Sequence, residues 1–360
     1  MNKKNKIVII LSCILITIIL GLVVYKITLS PVNKEKKSEE IIVEIPEGYG
    51  VSKIADLLKE KNVIKNELTF KIYIKLSGNN NLQAGKYLFE NGKEDVSRIV
   101  EKMKTGNIYK QDVTITFIEG KNMRNIAKTI AKNTNNTEKD VFNLLKDEEY
   151  IDSLIDKYWF LTDEIKDENI YYPLEGYLLP DTYTFENSNV SVKTIFNVIL
   201  NFTEKYLEQY KNKIEDSGPT IHQILTMASI AELEGKNTED RAEVIGVFYN
   251  RVNAKMSLGS DVTTYYAVKV DMGDRDLTKR EIDTYNAYNT RGPKMAGKIP
   301  IGPICNPSRS AIEATINYQE TDAYYFVADN NGKLYFSKNY EKHQDTIRKL
   351  KKADLWYVYE

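Results

Sequence analysis

Apolar positions recur at helical spacing through residues 218–251, and this pattern predicts two consecutive helices. Pro219 and Thr220 suit the start of the first helix, because proline fits a first turn and a threonine side chain can cap it. Gly235 marks the end of this helix, and Asn237 can cap the second one. We expect the function of the chain to be organised around this helix pair.

Two carboxylates, Glu232 and Glu234, close the first predicted helix. Residues two apart on a helix point to different faces, so the two do not form an acid/base pair across one bond. The helix dipole, the second carboxylate and apolar neighbours such as Ile230 each raise a carboxyl pKa. A carboxylic acid with a raised pKa can hold a proton at neutral pH and donate it. The alternative is an ordinary acidic helix end in water.

Residues 7–25 carry no charge and are nearly all apolar, which is long enough to cross a bilayer. Lysines precede them in residues 1–6, so we predict a cytoplasmic tail there and the rest of the chain outside a cell membrane. Residues 26–40 are predicted to be a charged linker. The rival is a cleavable signal peptide, whose apolar region would be shorter and end at a small-residue cleavage site.

Residues 41–55 and 113–127 share a strand pattern, a Glu-Gly turn and a helix pattern. Such a match indicates an internal repeat of a β-turn-α unit. Compact units of this kind outside a membrane resemble LysM-like carbohydrate-binding modules, so residues 41–132 are predicted to be a LysM-like region. The alternative is that two capped turns share a common sequence. The expected fold class is α+β.

The remaining pattern predicts helices over residues 139–161 and 192–215, and an extended aromatic segment over 171–185. Loops rich in Gly, Pro and Asn follow the helix pair, then a hairpin around Asn330 and a closing helix over 341–350. Long irregular segments inside a domain are typical of functional loops.

Composition excludes several classes of function. The net charge is −1, so there is no basic excess for nucleic acid. Beyond the apolar segment there is a single cysteine, Cys305, which excludes a disulfide framework. His222 and His343 are far apart in sequence, with no metal-binding spacing, so neither a metal nor another cofactor is expected.

Six segments resemble, in order and spacing, the YceG-like family of endolytic murein transglycosylases: LTMASIAELEGK, EVIGVFYNR, SLGSDVTTYYA, AYNTR, IPIGPICNPS and YYFVADNNGKLYFS. The resemblance covers nearly everything after the predicted linker. It implies a LysM-like subdomain joined to a catalytic region, residues 133–360, that is distantly lysozyme-like. The implied activity is cleavage of a peptidoglycan glycan strand between MurNAc and GlcNAc, which leaves a 1,6-anhydro-MurNAc end.

The resemblance assigns the catalytic acid to Glu234, the second glutamate of SIAELE. Neutral donors would steady the oxocarbenium-like state. The expected substrate-binding residues are Glu232, Asp181, Tyr183, Asn250, Arg251, Asp261, Thr263, Asn289, Thr290 and Asn306.

One acid suffices for a lytic transglycosylase, since the MurNAc C6 hydroxyl takes the place of water. A glycoside hydrolase normally needs two carboxylates, about 5–5.5 Å or about 6.5–9.5 Å apart. A hydrolytic muramidase using Asp181 or Asp261 is therefore the nearest alternative. Another is a non-catalytic scaffold that binds glycan and recruits peptidoglycan synthases. A membrane tether favours release of nascent strands, beside synthases and other elongation proteins.

Overall fold

The computed structural model describes residues 3–33, 38–78, 81–106 and 112–356, with side chains from residue 9 onward. Between residues 111 and 112 the chain divides into two compact units, an N-terminal unit and a C-terminal unit. Both contain helices and two-stranded antiparallel sheets, so the chain has the mixed α and β architecture that its pattern predicts.

The N-terminal unit is a small assembly of helices around one strand pair. Its elements are α1 (Lys3–Leu29), β1 (Glu40–Ile45), α2 (Val51–Glu60), α3 (Glu67–Ser77), β2 (Gly85–Glu90) and α4 (Val96–Thr105). β1 pairs antiparallel with β2, with Val43 opposite Tyr87. Alternate residues of β1 face inward, so Val43 and Ile45 are buried with Leu58 and Phe70 from the helices.

Helix α1 runs past the predicted membrane segment and ends at Leu29. Its stretch Ile9–Leu29 is long and apolar enough to cross a membrane, and it is largely exposed except near its end, where Leu29 packs against the core of the N-terminal unit. The predicted linker over residues 26–40 therefore begins as helix. It is also tied to the sheet, because the backbone N–H of Asn33 donates to the Asn91 carbonyl at 2.9 Å.

The C-terminal unit holds the remaining elements. They are α5 (Met123–Asn133), α6 (Glu138–Leu144), α7 (Glu148–Lys157), α8 (Val192–Leu207), α9 (Lys211–Asp216), α10 (Ile221–Glu234), α11 (Thr238–Asn253), α12 (Asp261–Ala267), α13 (Lys279–Asp283), α14 (Arg309–Ile316) and α15 (Tyr340–Lys352), with strands β3 (Val113–Thr116), β4 (Thr182–Phe185), β5 (Tyr325–Ala328) and β6 (Leu334–Ser337). Short 3₁₀ helices cover Asp163–Lys166 and Glu208–Tyr210.

Both copies of the predicted β-turn-α repeat form a strand, a turn and a helix. Gly48 and Gly120, the glycines of the two Glu-Gly turns, have φ of +78° and +71°, a conformation that favours glycine. The copies lie in different units, however. Strand β3 of the second copy pairs with β4, where Val113 is opposite Phe185. The predicted LysM-like region, residues 41–132, thus extends over both units.

Two helices predicted as continuous are interrupted. The segment 139–161 contains α6 and α7, because the Asp147 side chain accepts a hydrogen bond from the Tyr150 N–H and starts a new helix. The segment 192–215 changes to a 3₁₀ turn after Leu207. Among the loops predicted after the helix pair, the segment with residues 263–266 (Thr-Thr-Tyr-Tyr) forms the short helix α12. The hairpin of β5 and β6 and the closing helix α15 confirm their predictions.

Candidate active site

The two predicted helices at residues 218–251 are α10 and α11, and α10 lies in the core of the C-terminal unit. Thr220 and Gln223 cap the start of α10 reciprocally, and the Asn237 side chain caps α11 by accepting from the Asp240 N–H. Every residue of α10 through Ala231 except Gln223 is buried. The buried part of α10 therefore fixes the position of its last turn, which carries Glu232 and Glu234.

Glu234 is partly buried at the end of α10. Its Oε1 accepts a hydrogen bond from Ser260 Oγ at 2.6 Å. Within the described part of the chain, Oε2 accepts none. Burial raises the pKa of Glu234, and the negative charge of Asp261 raises it further. The Ser260 hydrogen bond, Arg251 and Arg291 act in the opposite direction. The predicted raised pKa is confirmed, with burial as its main cause.

Ser260 is the N-cap residue of α12, but its side chain makes no capping bond and donates to Glu234 instead. Two buried threonines fix its backbone. Thr290 Oγ1 accepts from the Ser260 N–H at 3.1 Å, and Thr263 Oγ1 donates to the Ser260 carbonyl at 2.7 Å. The two hydroxyls are 2.8 Å apart. Thr263 and Thr290, both predicted site residues, thus position the hydroxyl that contacts Glu234.

Two arginines surround the acid from different elements. Arg251, at the end of α11, donates through Nε to the Tyr324 carbonyl at 2.6 Å and through Nη1 to the Leu258 carbonyl at 2.5 Å. Burial lowers the pKa of its guanidinium. Arg291 forms an exposed ion pair with Asp261, with Nη1 and Oδ1 2.7 Å apart. Both cations favour the ionised form of Glu234.

Glu232 is bound within the protein on both oxygens. Oε1 accepts from Arg241 Nη2 at 2.9 Å, and Oε2 accepts from the Ser308 N–H at 2.9 Å and from Ser308 Oγ. Arg241 also donates through Nε to the Gly235 carbonyl. These contacts, which we call the Glu232 clamp (Glu232, Arg241 and Ser308), fasten α10 to α11 and α14. The substrate-binding role of Glu232 stays a prediction.

Asn289 and Asn306 are buried and connect separate segments. Asn289 Nδ2 donates to three backbone carbonyls of the α13 region, and its Oδ1 accepts from Thr264 Oγ1 at 2.6 Å. Asn306 Oδ1 accepts from the Gly176 and Leu178 N–H groups at 3.1 and 3.0 Å. Both amides thus connect segments that are distant in sequence.

Three other predicted residues have partners elsewhere in the C-terminal unit. Asp181 forms an ion pair with Arg309 at 2.6 Å. The hydrogen bond from the Thr182 N–H, and then Arg309, lower the pKa of the Asp181 carboxyl. The buried Tyr183 hydroxyl donates to the Leu179 carbonyl at 2.6 Å. Asn250 Nδ2 donates to the carbonyls of residues 321 and 323. Their roles in binding substrate stay predictions.

Sequence reasoning missed Glu175, which is 1% exposed. Its Oε2 accepts from the Met123 N–H at 2.9 Å and from the Tyr266 hydroxyl at 3.0 Å, and its Oε1 accepts from Asn306 Nδ2 at 3.2 Å. Burial raises the pKa of Glu175 to about 8, although the Met123 and Tyr266 hydrogen bonds and the charge of Arg124 lower it. A signal was present, since Glu175 is the only charged residue of the segment YYPLEGYLLP.

A cavity of ≈ 170 Å³ lies next to the end of α10, although Glu234 is not among its lining residues. Leu233 and Val262 line it, and each is next in sequence to Glu234 or Asp261. Lys121 and Asn122 supply polar groups on the wall formed by the start of α5. Among the residues with described side chains, no group of three His, Cys, Asp or Glu could hold a metal ion. Polar and apolar residues thus both line this cavity.

Comparison with known proteins gives a consistent family. Residues 43–349 match the YceG-like family. A Bacillus subtilis protein named endolytic murein transglycosylase is 37% identical over 328 residues, covering 90% of this chain and 88% of that protein. A protein of the same name from Streptococcus pneumoniae D39 is 32% identical over 89% of this chain, which spans 60% of that protein.

A solved structure agrees with these sequence matches. The crystal structure of a yceG-like protein from Listeria monocytogenes superposes with a TM-score of 0.61 at 33% identity, covering 86% of this chain and all of that one. The match to the family extends over more than half of the chain and includes both compact units. This chain therefore belongs to the YceG-like family.

Proposed function

We propose that this chain is an endolytic murein transglycosylase that cleaves peptidoglycan glycan strands between MurNAc and GlcNAc and leaves 1,6-anhydro-MurNAc ends. The observation that carries this function is Glu234, a carboxyl group whose pKa is raised by burial and whose Oε1 is oriented by Ser260. A carboxylic acid in this state can deliver a proton at neutral pH. The relatives named endolytic murein transglycosylase support the same activity.

The reaction uses one group twice. Protonated Glu234 donates its proton to the glycosidic oxygen, and the bond between that oxygen and MurNAc C1 breaks. The MurNAc C6 oxygen then bonds to C1, and the Glu234 carboxylate accepts the proton of the C6 hydroxyl. Arg251 and Arg291 stabilise the carboxylate between these steps, because their charges favour the ionised acid. Glu234 ends the cycle protonated, and water is not consumed.

Hydrolysis is the second candidate, and a specific neighbour favours it. Asp261 lies close enough to Glu234 for its charge to raise the pKa of the acid, so a second carboxylate is present near the site. Asp261 is also exposed and paired with Arg291 at 2.7 Å. A hydrolase would use such a carboxylate to activate water or to form a covalent intermediate.

Product analysis tests the proposed reaction against hydrolysis. Wild-type protein incubated with uncrosslinked nascent strands is expected to give anhydro-MurNAc ends, because the C6 hydroxyl is the attacking group. Mass spectrometry separates these ends from reducing MurNAc ends, which carry one additional water. Asp261→Asn is the matched variant and should leave the type of end unchanged. Reducing ends from the wild-type protein would exclude the transglycosylase mechanism.

Replacing Ser260 by alanine is expected to lower the cleavage rate about tenfold, because Glu234 loses the hydrogen bond that orients it. The same bond lowers the pKa of Glu234, so its removal should move the alkaline limb of the rate profile to higher pH. Rates measured across pH check both effects. Ser257→Ala, in the same loop, is the control. A slower enzyme with an unmoved alkaline limb would contradict the positioning role of Ser260.

We further propose that the chain is anchored in a cell membrane by α1, with residues 1–6 cytoplasmic and the chain after α1 on the other side. The apolar stretch Ile9–Leu29 and the lysines before it support this topology. We propose a LysM-like, glycan-binding role for residues 41–132 and a lysozyme-like ancestry for residues 133–360. Peptidoglycan synthases are the expected partners, since a tethered enzyme reaches strands where they emerge.

A further inference from the structure

Helix α3 in the N-terminal unit is apolar on two faces. Phe70 and Ile74 are buried in the core of that unit. Leu68, Ile72 and Leu76 point away from this core and are 65%, 38% and 75% exposed. A surface helix of a globular protein normally turns one apolar stripe inward and a polar face outward. The second apolar face of α3 would therefore be stabilised by contact with another apolar surface.

The three exposed residues form a continuous stripe. They are four positions apart, so their side chains lie within an arc of about 80° and extend over about 12 Å of the helix. Single exposed apolar residues are common on protein surfaces, whereas contiguous groups mark contact sites for proteins or membranes. We refer to Leu68, Ile72 and Leu76 as the α3 stripe.

The start of α3 is fixed beside the end of the candidate membrane helix. Lys65, two residues before α3, donates through Nζ to Ser30 Oγ at 2.7 Å and to the Ile27 carbonyl at 3.3 Å. The last carbonyls of a helix lack partners within the helix, and a lysine is a favourable neighbour for them. Leu29 packs against the same core as Phe70. The start of α3 therefore lies beside the end of α1, which is the point where α1 would leave a bilayer.

The charges on and next to α3 agree with a lipid surface. Residues 65–77 carry three positive charges, at Lys65, Lys71 and Lys75, and one negative charge, at Glu67. Lys71 is partly balanced by Asp56, with Nζ and Oδ1 3.1 Å apart. Helices that lie in a membrane interface combine an apolar stripe with lysine or arginine beside it, which attracts anionic headgroups. Lipid thus accounts for both the stripe and the lysines.

We propose that the α3 stripe inserts into the headgroup region of the bilayer that α1 crosses, so that the N-terminal unit is held against the membrane at two places. This proposal rests on the membrane anchor proposed above and is independent of the chemistry at Glu234. A second copy of the chain or a partner protein on the stripe would be a different outcome of the same test.

The test places a fluorophore on the stripe of the full-length chain. The chain is reconstituted in vesicles of phosphatidylcholine and phosphatidylglycerol, with or without lipids that carry nitroxide quenchers. Ile72→Cys in a Cys13→Ser background receives an environment-sensitive dye. Cys305 does not interfere, because it is buried and burial raises the pKa of its thiol. Glu101→Cys, exposed on α4, is the matched control in the same unit.

Native Cys13, exposed on α1, reports on the anchor itself when it is labelled in the otherwise unchanged chain. We expect headgroup-level nitroxides to remove most of the fluorescence at Ile72→Cys and none at Glu101→Cys, and nitroxides deep in the acyl chains to quench the Cys13 label. Adding Leu68→Ser and Leu76→Ser should abolish quenching at position 72 and leave that at Cys13.

The outcomes separate the two proposals. Without quenching at Cys13, the anchor is wrong and the inserted stripe is wrong with it. Quenching at Cys13 but not at Ile72→Cys overturns the stripe alone. A blue-shifted but unquenched label at position 72 shows that protein covers the stripe and also overturns lipid insertion. Strand cleavage by the wild-type chain is measured separately, so none of these results depends on the proposed activity.

Discussion

Replacing Glu234 by glutamine is expected to lower the rate of strand cleavage by about 10²–10⁴-fold, because the amide cannot donate the proton that the glycosidic oxygen requires. The glutamine oxygen can still accept the Ser260 hydrogen bond, so the local geometry is preserved. Chromatography of strands released from nascent peptidoglycan gives the rate. Strand binding should remain, since the change removes one proton and little volume.

Stability distinguishes lost chemistry from lost folding in this variant. The pKa of Glu234 is raised above 4.5 in the folded protein, so the folded state keeps a proton that the unfolded chain releases. Folding stability is therefore lost as pH rises from about 4.5 towards the folded pKa. The glutamine variant avoids this loss and should be at least as stable as the wild type at neutral pH. If Glu234→Gln cleaved strands at the wild-type rate, the role of Glu234 as the acid would be refuted. If the wild-type protein did not cleave strands but bound peptidoglycan synthases, the scaffold function would be favoured.

Replacing Glu175 by alanine is expected to lower the free energy of unfolding by about 3 kcal/mol in mildly acid solution. The change leaves the Met123 N–H, the Tyr266 hydroxyl and the Asn306 amide without their acceptor in a buried site. Urea denaturation measures the loss. Cleavage should fall too, because Tyr266 belongs to α12, whose N-cap residue Ser260 contacts Glu234.

The pH dependence of the Glu175→Ala loss gives a sharper check. Since the pKa of Glu175 is about 8 in the folded protein against 4.5 for an ordinary glutamate, the wild type loses stability as pH rises through this window. The difference in the free energy of unfolding between wild type and variant should therefore decrease as pH rises from about 5 to about 8. Glu313→Ala, exposed on α14, is the control. A gap that widens with pH would mean that Glu175 is ionised and stabilising.

The helix pair was readable from sequence because its signals are local. Thr220 and Asn237 cap the helices that follow them, and apolar spacing fixes the buried face of α10. The interruption between α6 and α7 also has a local cause, the capping carboxylate of Asp147, which lies before two further acids. Periodicity alone predicted one continuous helix over residues 139–161, because apolar residues continue at helical spacing on both sides of Asp147.

The polar connections of the site could not be read in this way. Asn306 binds backbone groups at Gly176 and Leu178, about 130 positions earlier, and no local pattern encodes such a partner. Ser260 occupies a capping position, so its sequence context indicates a cap and conceals its contact with Glu234. Glu175 was missed although it is the single charged residue of the segment 171–180, a pattern that favours a buried carboxyl group.

The Glu232 clamp has a consequence for the transfer of this site to other proteins. Arg241 and Ser308 come from segments that follow α10, and both hold the residue two positions before the acid. Grafting the motif SIAELE onto a foreign helix would reproduce the carboxyl group without the parts that fix its location. Any transplant of the proposed site would therefore have to include at least the span from α10 through α14, rather than the short signature by which the family is recognised.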